Sequence, residues 1–437
     1  MEIRDPVHGS VYYSDAEVAV LDTPEYQRLR AIKQLGFSEF SFPGATHNRY
    51  LHSVGVGHLA GEVFDAIFRI YPFSKPSVKT RFRQVLRLGA LLHDVGHGPL
   101  SHTTETVMPP VGDLKIKVYE DHDNEEAHQV MNKNRRANHE DYTIKYVTDS
   151  LIAETIEKQF TDIKPIHVAC LIDKALHCPD DFFIDNGVDF RPILSQLVSS
   201  ELDVDRMDYL ERDSYFCGTN YGKIDTHWLV QNMTFHRVEN KMYLALNRRA
   251  LYSFDDFLIS RHHMHLMVYG HHKSIVYEEM LNRYLTSPDC TFVLPGDIHE
   301  YTRYNDYRLH EHLASANNPW ARRIAERKPF KVLVEQHNTH ETDQPEMIKK
   351  ALEAEGLEVI RASSKARLSK YHSASPEERA SQIYVVDQYD RWSTPTPINQ
   401  STEIFQRYEG TRIIDRVYVA PEKFAEADNI LKNLKLT

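Results

Sequence analysis

The sequence predicts a mainly α protein, with a helical core over residues 1–328 and a small α/β module over residues 329–437. Three observations carry this reading. Apolar residues recur at helical spacing through the first two thirds of the chain, and near Pro329 the texture changes to short strand-like runs. A chain of 437 residues also exceeds what one hydrophobic core fills, so a second unit is expected.

Taken in order, a short polar or extended piece comes first. Thr23-Pro24 then opens a helix, with Asp22 or Thr23 as its cap and Pro24 in its first turn; Tyr26, Leu29 and Ile32 follow at helical spacing. LHSVGVGHLAGEVFDAIFRIY, from Leu51 to Tyr71, is a second helix whose Gly55, Gly57 and Gly61 suit close packing against a neighbouring helix. QVLRLGALLHDVGHG predicts a third, ending near Gly96 or Gly98 with Pro99 beyond. Further helices are expected from about Asp149 to Lys174, around SSELDVDRMDYLERD, and from Phe254 through Leu285. In the module, KVLVEQ, LEVIRAS, QIYVVDQ and RIIDRVYVAP read as four strands, with helices at PEMIKKALEAEG and PEKFAEADNILKNL.

Composition narrows the function. A formal charge of -11 argues against non-specific attraction to nucleic acid, although a local basic patch is still allowed. Cys170, Cys178, Cys217 and Cys290 form no CxxC pair, which indicates neither a disulfide framework nor a thiolate zinc knuckle. No apolar run reaches roughly 18 residues and no apolar signal region opens the chain, so no membrane partner is expected and the cytoplasm is the expected compartment. Histidine is the outlier: 25 residues, many of them clustered.

LLHDVGHGPLSH, from Leu91 to His102, is the densest cluster. A divalent cation needs imidazole nitrogens and carboxylate oxygens converging from rigid elements, with positions left open. His52, the His93-Asp94 pair and Asp205 can supply that set. If His93 and Asp94 share a helix, they point about 100° apart and reach one ion only at a packed face, and the glycine-rich exit after Asp94 would make room for it. An HD dipeptide alone is a weak signal, since a single buried histidine is usually a hydrogen-bonded core residue.

The surrounding pattern is more specific. HNRYLHSVGVGHLAG, LLHDVGHGPLSH and ELDVDRMDYLERD resemble the HD-domain deoxynucleoside triphosphate triphosphohydrolases, the branch that includes the sterile-alpha-motif HD protein. DPVHGSVYYSD, LDTPEYQRLRAIKQLG and RHHMHLMVYGHHKSIVYEEML extend the resemblance over roughly residues 4 to 290, in the family's order. It implies a helical HD-domain core and release of a deoxynucleoside and inorganic triphosphate from a dNTP. The implied metal ligands are His52, His93, Asp94 and Asp205; the ion would be iron, manganese, nickel or zinc, with magnesium bridging phosphates. His97, His102 and Glu105 would lie over the triphosphate or the leaving 5′-oxygen, Glu105 replacing the usual aspartate. His122 matches another pocket histidine, with His128 as the competing choice.

By the same resemblance Arg49, Arg206 and Arg261 would hold phosphates, the alternative for each being a salt bridge. Gln34 and Leu35 would approach the 3′-hydroxyl, and Tyr209 and Asp213 the sugar. His265 and His271 match pocket-lining positions. Tyr269 would crowd the 2′ position and so select deoxyribose, whereas Gly270 stands where the nearest relatives carry glutamine. Asp22, Gln27 and Arg30 match an activator site for GTP or a dNTP near a subunit interface, which implies a homo-oligomer, dimer or tetramer; an ordinary helix-surface ion pair is the alternative. Ser10 replaces a histidine of that site. The rival readings are another HD nucleotidase or phosphodiesterase, a binuclear centre that includes His97 or His122, and a nucleotide or nucleic-acid sensor without turnover.

Overall fold

The computed structural model describes residues 1–119, 134–366, 368, 382–390, 392–408 and 410–433. It opens with an antiparallel hairpin, β1 (Glu2–Asp5) and β2 (Gly9–Tyr12). Asp5 shapes the turn, its Oδ1 accepting the backbone N–H groups of Val7 and His8 at 2.8 Å each. Thr23 stands at the N-cap position of the short helix Pro24–Gln27, its hydroxyl donating to the Val20 carbonyl at 2.8 Å, with proline in the first turn as the sequence implies.

Helix α1 (Arg49–Ile67) runs through the centre of the core and is buried on most of its surface. Asn48 starts it, accepting the Leu51 N–H at 3.0 Å. Its glycines do pack closely: a Cβ on Gly55 would lie 2.0 Å from Asp208 Oδ1 and 2.2 Å from Arg212 Nη2. Helix α2 (Pro76–Leu92) packs beside it and ends sooner than the sequence suggests. His93 and Asp94 therefore sit in the turn after the helix, where the Val95 N–H bonds to the Leu92 carbonyl at 3.1 Å. The glycine after them also serves another purpose than expected. A Cβ on Gly96 would meet the His139 carbonyl at 2.2 Å and the Thr143 nitrogen at 2.3 Å, so Gly96 admits helix α3 (His139–Thr148) rather than an ion.

The stretch from Asp149 to Lys174 is two helices, Leu151–Gln159 and Pro165–Ile172, broken before Pro165, whose ring cannot continue the hydrogen-bond ladder. Helix α4 (Val204–Cys217) is capped by Asp203, which accepts the Arg206 N–H at 2.8 Å, and closes on left-handed Gly218. The long helix expected from Phe254 to Leu285 breaks into α5 (Leu251–Met264), a π-helical turn at His265–Tyr269, and α6 (His272–Leu285). Gly270 ends that turn, where a Cβ would approach the His265 carbonyl to 2.8 Å.

A hairpin that the sequence reading missed, β3 (Met233–Val238) and β4 (Lys241–Asn247), follows α4 and the short helix Thr226–Asn232. Of the four strands expected after Pro329, three form one antiparallel sheet: β5 (Lys331–Asn338), β6 (Val359–Ala366) and β8 (Arg412–Val419), with β8 in the middle. Helices Gln344–Ala354 and Phe424–Asn433 bury Ile348, Leu352 and Leu431 against Val417 and Val419 in a separate small core. The fourth strand, β7 (Tyr384–Val386), instead runs parallel to β4 in the core sheet. Among the described residues no helix is long and apolar enough to cross a membrane.

Candidate metal centre and active-site cleft

α1, the turn after α2, and α4 bring His52, His93, Asp94 and Asp205 together. Oδ1 of Asp205 lies 3.0 Å from His52 Nε2 and 3.4 Å from His93 Nε2; the Asp94 carboxylate lies 3.6 Å from His52 Nε2 and 3.4 Å from His93 Nε2. Both Nε2 atoms are buried without a hydrogen bond of good geometry. The opposite ring nitrogens are engaged, His52 Nδ1 with Asp208 Oδ2 at 2.7 Å and His93 Nδ1 with the Ala90 carbonyl at 2.8 Å. The carbonyl accepts only, so His93 carries its proton on Nδ1, and a carboxylate at His52 Nδ1 favours the same tautomer. Both Nε2 lone pairs then face the two carboxylates, the arrangement a bound cation requires.

The carboxylates around the ring demand positive charge: against burial, Asp205 and Asp208 push His52 up to about 10, so a proton occupies the ring until a cation takes its place. Against burial, the Arg49 guanidinium with His93 and His97 holds Asp94 well below the usual carboxylate range. His97 is the contrast: burial, Arg49 and His139 drive its pKa far down, so it stays neutral.

Asp208 anchors the set from behind. It is fully buried and takes two hydrogen bonds from Arg212 at 2.8 Å, one from His52, and a 2.6 Å contact from Nε2 of His8 on the N-terminal hairpin. Arg212 also bonds Asp5 at 2.9 Å, so the hairpin turn and α4 share one ionic network.

A second cluster lies alongside. Glu105 Oε1 bridges Nδ1 of His102 at 3.1 Å and Nδ1 of His139 at 2.6 Å, and the His97 and His139 rings stack at 3.9 Å. Burial raises the Glu105 pKa, but the two histidine hydrogen bonds outweigh it and bring the carboxyl down to about 2. Leu100 and Ser101 adopt left-handed backbone at φ 51° and 58°, a strained turn secured by the Leu100 N–H on Asp306 at 2.8 Å. The turn presents Ser101 to Arg49 at 2.9 Å, and Arg49 also pairs with Asp94.

Next to these groups opens a cleft of about 590 Å³. Its lining joins Arg49 and His102 to Gln34, Leu35, Tyr209, Asp213, His265 and Tyr269. The Tyr269 hydroxyl donates to Asp213 at 2.8 Å, and His265 packs edge-on against its ring at 5.1 Å. Asp213 is held from the other side by His47 at 2.7 Å.

The HD-domain profile matches residues 49–213 and the HD-associated region matches 224–362. The chain belongs to the HD-domain family. It is 31% identical over 276 residues to "Uncharacterized protein MG461 homolog" of Mycoplasma pneumoniae, covering 62% of this chain and 56% of that protein. It is 28% identical over 328 residues to deoxynucleoside triphosphate triphosphohydrolase SAMHD1 of Gallus gallus, covering 69% of this chain and 50% of that one. The chain thus spans only about half the length of these curated relatives. A hypothetical protein from Aquifex aeolicus shares the fold, with a TM-score of 0.73 at 24% identity over 99% of both chains.

Not every residue singled out in this HD-domain sequence reaches the cleft. Arg206 and Arg261 do not line it: both face Glu201, at 3.5 and 3.0 Å, and Arg261 also bonds the Leu368 carbonyl at 2.6 Å. His271 packs against Phe42 instead. Arg30 donates to Gln27 at 2.7 Å and stacks on Tyr50, Gln27 bonds the Leu21 carbonyl, and no ion pair joins Asp22 to Arg30. His122 and His128 lie outside the described residues; His139 is the histidine that the structure brings to Glu105 beside His102. The reading missed His139, although Asn138 with Asp141 three residues later marks a helix start there. It missed Asp208 and Arg212 as well, at one-turn spacings from Asp205 and from each other.

Hydrogen bonding also separates these histidines from a third group, His167 with Cys178 and Asp180. There Nδ1 accepts the Lys164 N–H at 3.0 Å, which puts the proton on Nε2 facing Asp180 at 3.1 Å, and Lys164 Nζ already pairs with that carboxylate. Such a tautomer offers a cation no lone pair.

Proposed function

We propose that the chain is a metal-dependent phosphohydrolase that cleaves deoxynucleoside triphosphates to deoxynucleoside and inorganic triphosphate. The observation that carries it is one cleft lined at once by the candidate phosphate group Arg49, the histidine His102 bonded to Glu105, and a sugar-sized wall of Tyr209, Asp213 and Tyr269. A divalent ion held by His52, His93, Asp94 and Asp205 would neutralise phosphate charge and polarise the ester bond; the nitrogen and oxygen donors suit iron, manganese, nickel or zinc.

The chain's own groups supply the rest. Arg49 binds phosphate oxygens, whereas Arg206 and Arg261 stay paired with Glu201 outside the cleft. Glu105 orients His102 and His139, one of which protonates the leaving 5′-oxygen. Tyr269, fixed by Asp213 and packed against His265, stands against C2′ and leaves a ribose hydroxyl no room. A GTP or dNTP activator at Asp22, Gln27 and Arg30, and an oligomer built around it, belong to the same proposal.

The test is a product assay: purified protein with each dNTP and NTP, with Mn²⁺ or Mg²⁺, with and without GTP. Deoxynucleoside plus intact triphosphate from dNTPs alone supports the reading. Monophosphate or orthophosphate as first product makes it a different HD phosphohydrolase, and absence of turnover leaves a nucleotide sensor.

A further inference from the structure

The far end of the cleft has a chemistry that the reaction does not use. α6 packs against segments Gly36–Phe40 and Ser101–Val107 and turns Glu278, Glu279 and Asn282 toward the cavity, where Gln34, Ser38, Thr103 and Thr106 complete the lining. Spacings of three and four residues put Asn282 on the same helix face as both glutamates. Neither Glu278 nor Glu279 forms a salt bridge among the described residues. Among the described residues Arg49 is the one lysine or arginine lining the cleft, and it is committed to Asp94 and Ser101 at the metal end. Asn282 Oδ1 and Gln34 Oε1 are buried without a hydrogen-bond partner. Burial first, and then the neighbouring Glu279, push Glu278 up to about 7, as expected of a carboxyl with no counter-charge.

Among the described residues this end holds two carboxyls without a salt bridge and no lysine or arginine, beside the hydroxyls of Ser38, Thr103 and Thr106, and it does two things. It repels a triphosphate, so substrate enters with its phosphates toward Arg49 and the metal centre. It also calls for hydrogen-bond donors from whatever occupies it, because an acceptor that loses water and gains no donor is costly. Resting on the dNTP reading, we propose that Glu278, Glu279 and Asn282 form the nucleobase end of the cleft and select guanine, adenine and cytosine over thymine. The exocyclic amino groups of the first three donate N–H bonds to the Asn282 amide oxygen, to Glu279 and to Glu278 in its ionised form, so the selection is sharpest above about pH 7. Thymine carries no amino group; its one N–H lies between two carbonyls, which face the same oxygens and are repelled. A site built for hydrogen bonds discriminates strongly against an analogue that leaves its groups unpaired.

The experiment has two arms. In the first, kcat/KM is measured for the four dNTPs on wild type, Glu278→Gln and Glu279→Gln. Wild type is expected to turn over dTTP at least about tenfold more slowly than the other three. A glutamine amide can donate to a thymine carbonyl, so the variants raise dTTP turnover and narrow the gap, an outcome that damage to the fold would not produce. Equal turnover of all four by wild type, or a gap unmoved in both variants, overturns the proposal. The second arm binds thymidine, deoxyguanosine and deoxycytidine to the metal-loaded wild type by calorimetry, with no triphosphate and no turnover. Weaker thymidine binding supports the base selection even if the first arm shows no hydrolysis and the dNTP reading falls. Equal binding overturns the selection whatever the first arm shows.

Discussion

His8 lies outside the segment that the HD-domain profile matches, yet it touches the group that orients a proposed metal ligand. His8→Ala removes a 2.6 Å contact to Asp208 Oδ1 and leaves that carboxylate to Arg212 and His52. Hydrogen bonds to charged groups contribute about 1.5–3 kcal/mol, and part of that loss appears as a lower Tm. Because Asp208 fixes the His52 tautomer, metal retention should weaken about 10- to 100-fold, equivalent to about 1.4–2.7 kcal/mol. His8→Gln keeps an N–H near the position of Nε2 and should restore most of the affinity. Metal content by elemental analysis after dialysis, and titration against a competing chelator, read this directly. Wild-type metal affinity in His8→Ala would refute the claim that His8 positions Asp208 for His52; equal loss in His8→Gln would show that the ring packs rather than bonds.

Four further outcomes follow from the geometry. Gly55→Ala forces a methyl into Asp208 and Arg212 and should destabilise the fold by about 3 kcal/mol or more, seen in chemical denaturation; an unchanged midpoint would contradict the close approach. Glu105→Gln removes the carboxylate shared by His102 and His139 and should lower kcat about 10²- to 10⁴-fold at unchanged metal content, measured by single turnover. Tyr269→Ala opens the wall beside C2′, so the kcat/KM preference for dGTP over GTP should fall about 10- to 100-fold, whereas Tyr269→Phe keeps the ring and most of the preference. Chelation of the metal should lower the Tm by several degrees, since an ion bound only by the folded state adds about 2.7 kcal/mol at a hundred times its Kd; an identical Tm with and without chelator would count against the quartet.

The helical core, and the four residues that the structure gathers around His52, were legible because each rests on local pattern: apolar spacing for α1 and α4, caps at Asn48 and Asp203, and a histidine-rich run that reads as chemistry. What was not legible depends on contacts between distant residues. The HD dipeptide looks helical by hydrophobicity, but helix α2 ends before it, and α3 is admitted across Gly96 from about forty residues away. β7 carries the texture of the C-terminal strands and yet pairs with β4, a register that no local propensity encodes. Arg206 and Arg261 show the same limit. Their side-chain type fits phosphate, and only the fold reveals Glu201 between them.

The way the centre is assembled explains why an HD-domain chain needs so much structure around two adjacent residues. His52, the turn at His93 and Asp94, and Asp205 come from three separate stretches, and His52, His93 and Asp94 are each held by a group outside the candidate quartet: Asp208, the Ala90 carbonyl and Arg49. Asp208 is fixed by Arg212, and Arg212 by Asp5, which also bends the turn that delivers His8. Arg212 and Asp208 are both fully buried, so removing either partner leaves an uncompensated charge in the core. Such a network contributes little to stability compared with apolar packing of the same volume. Its consequence is geometric: it ties the N-terminal hairpin, α1 and α4 to one carboxylate and so keeps the His52 lone pair aimed at a fixed point. The proposed reaction, in which phosphates meet a cation, an arginine and a histidine within a single cleft, requires that kind of precision more than it requires extra stability.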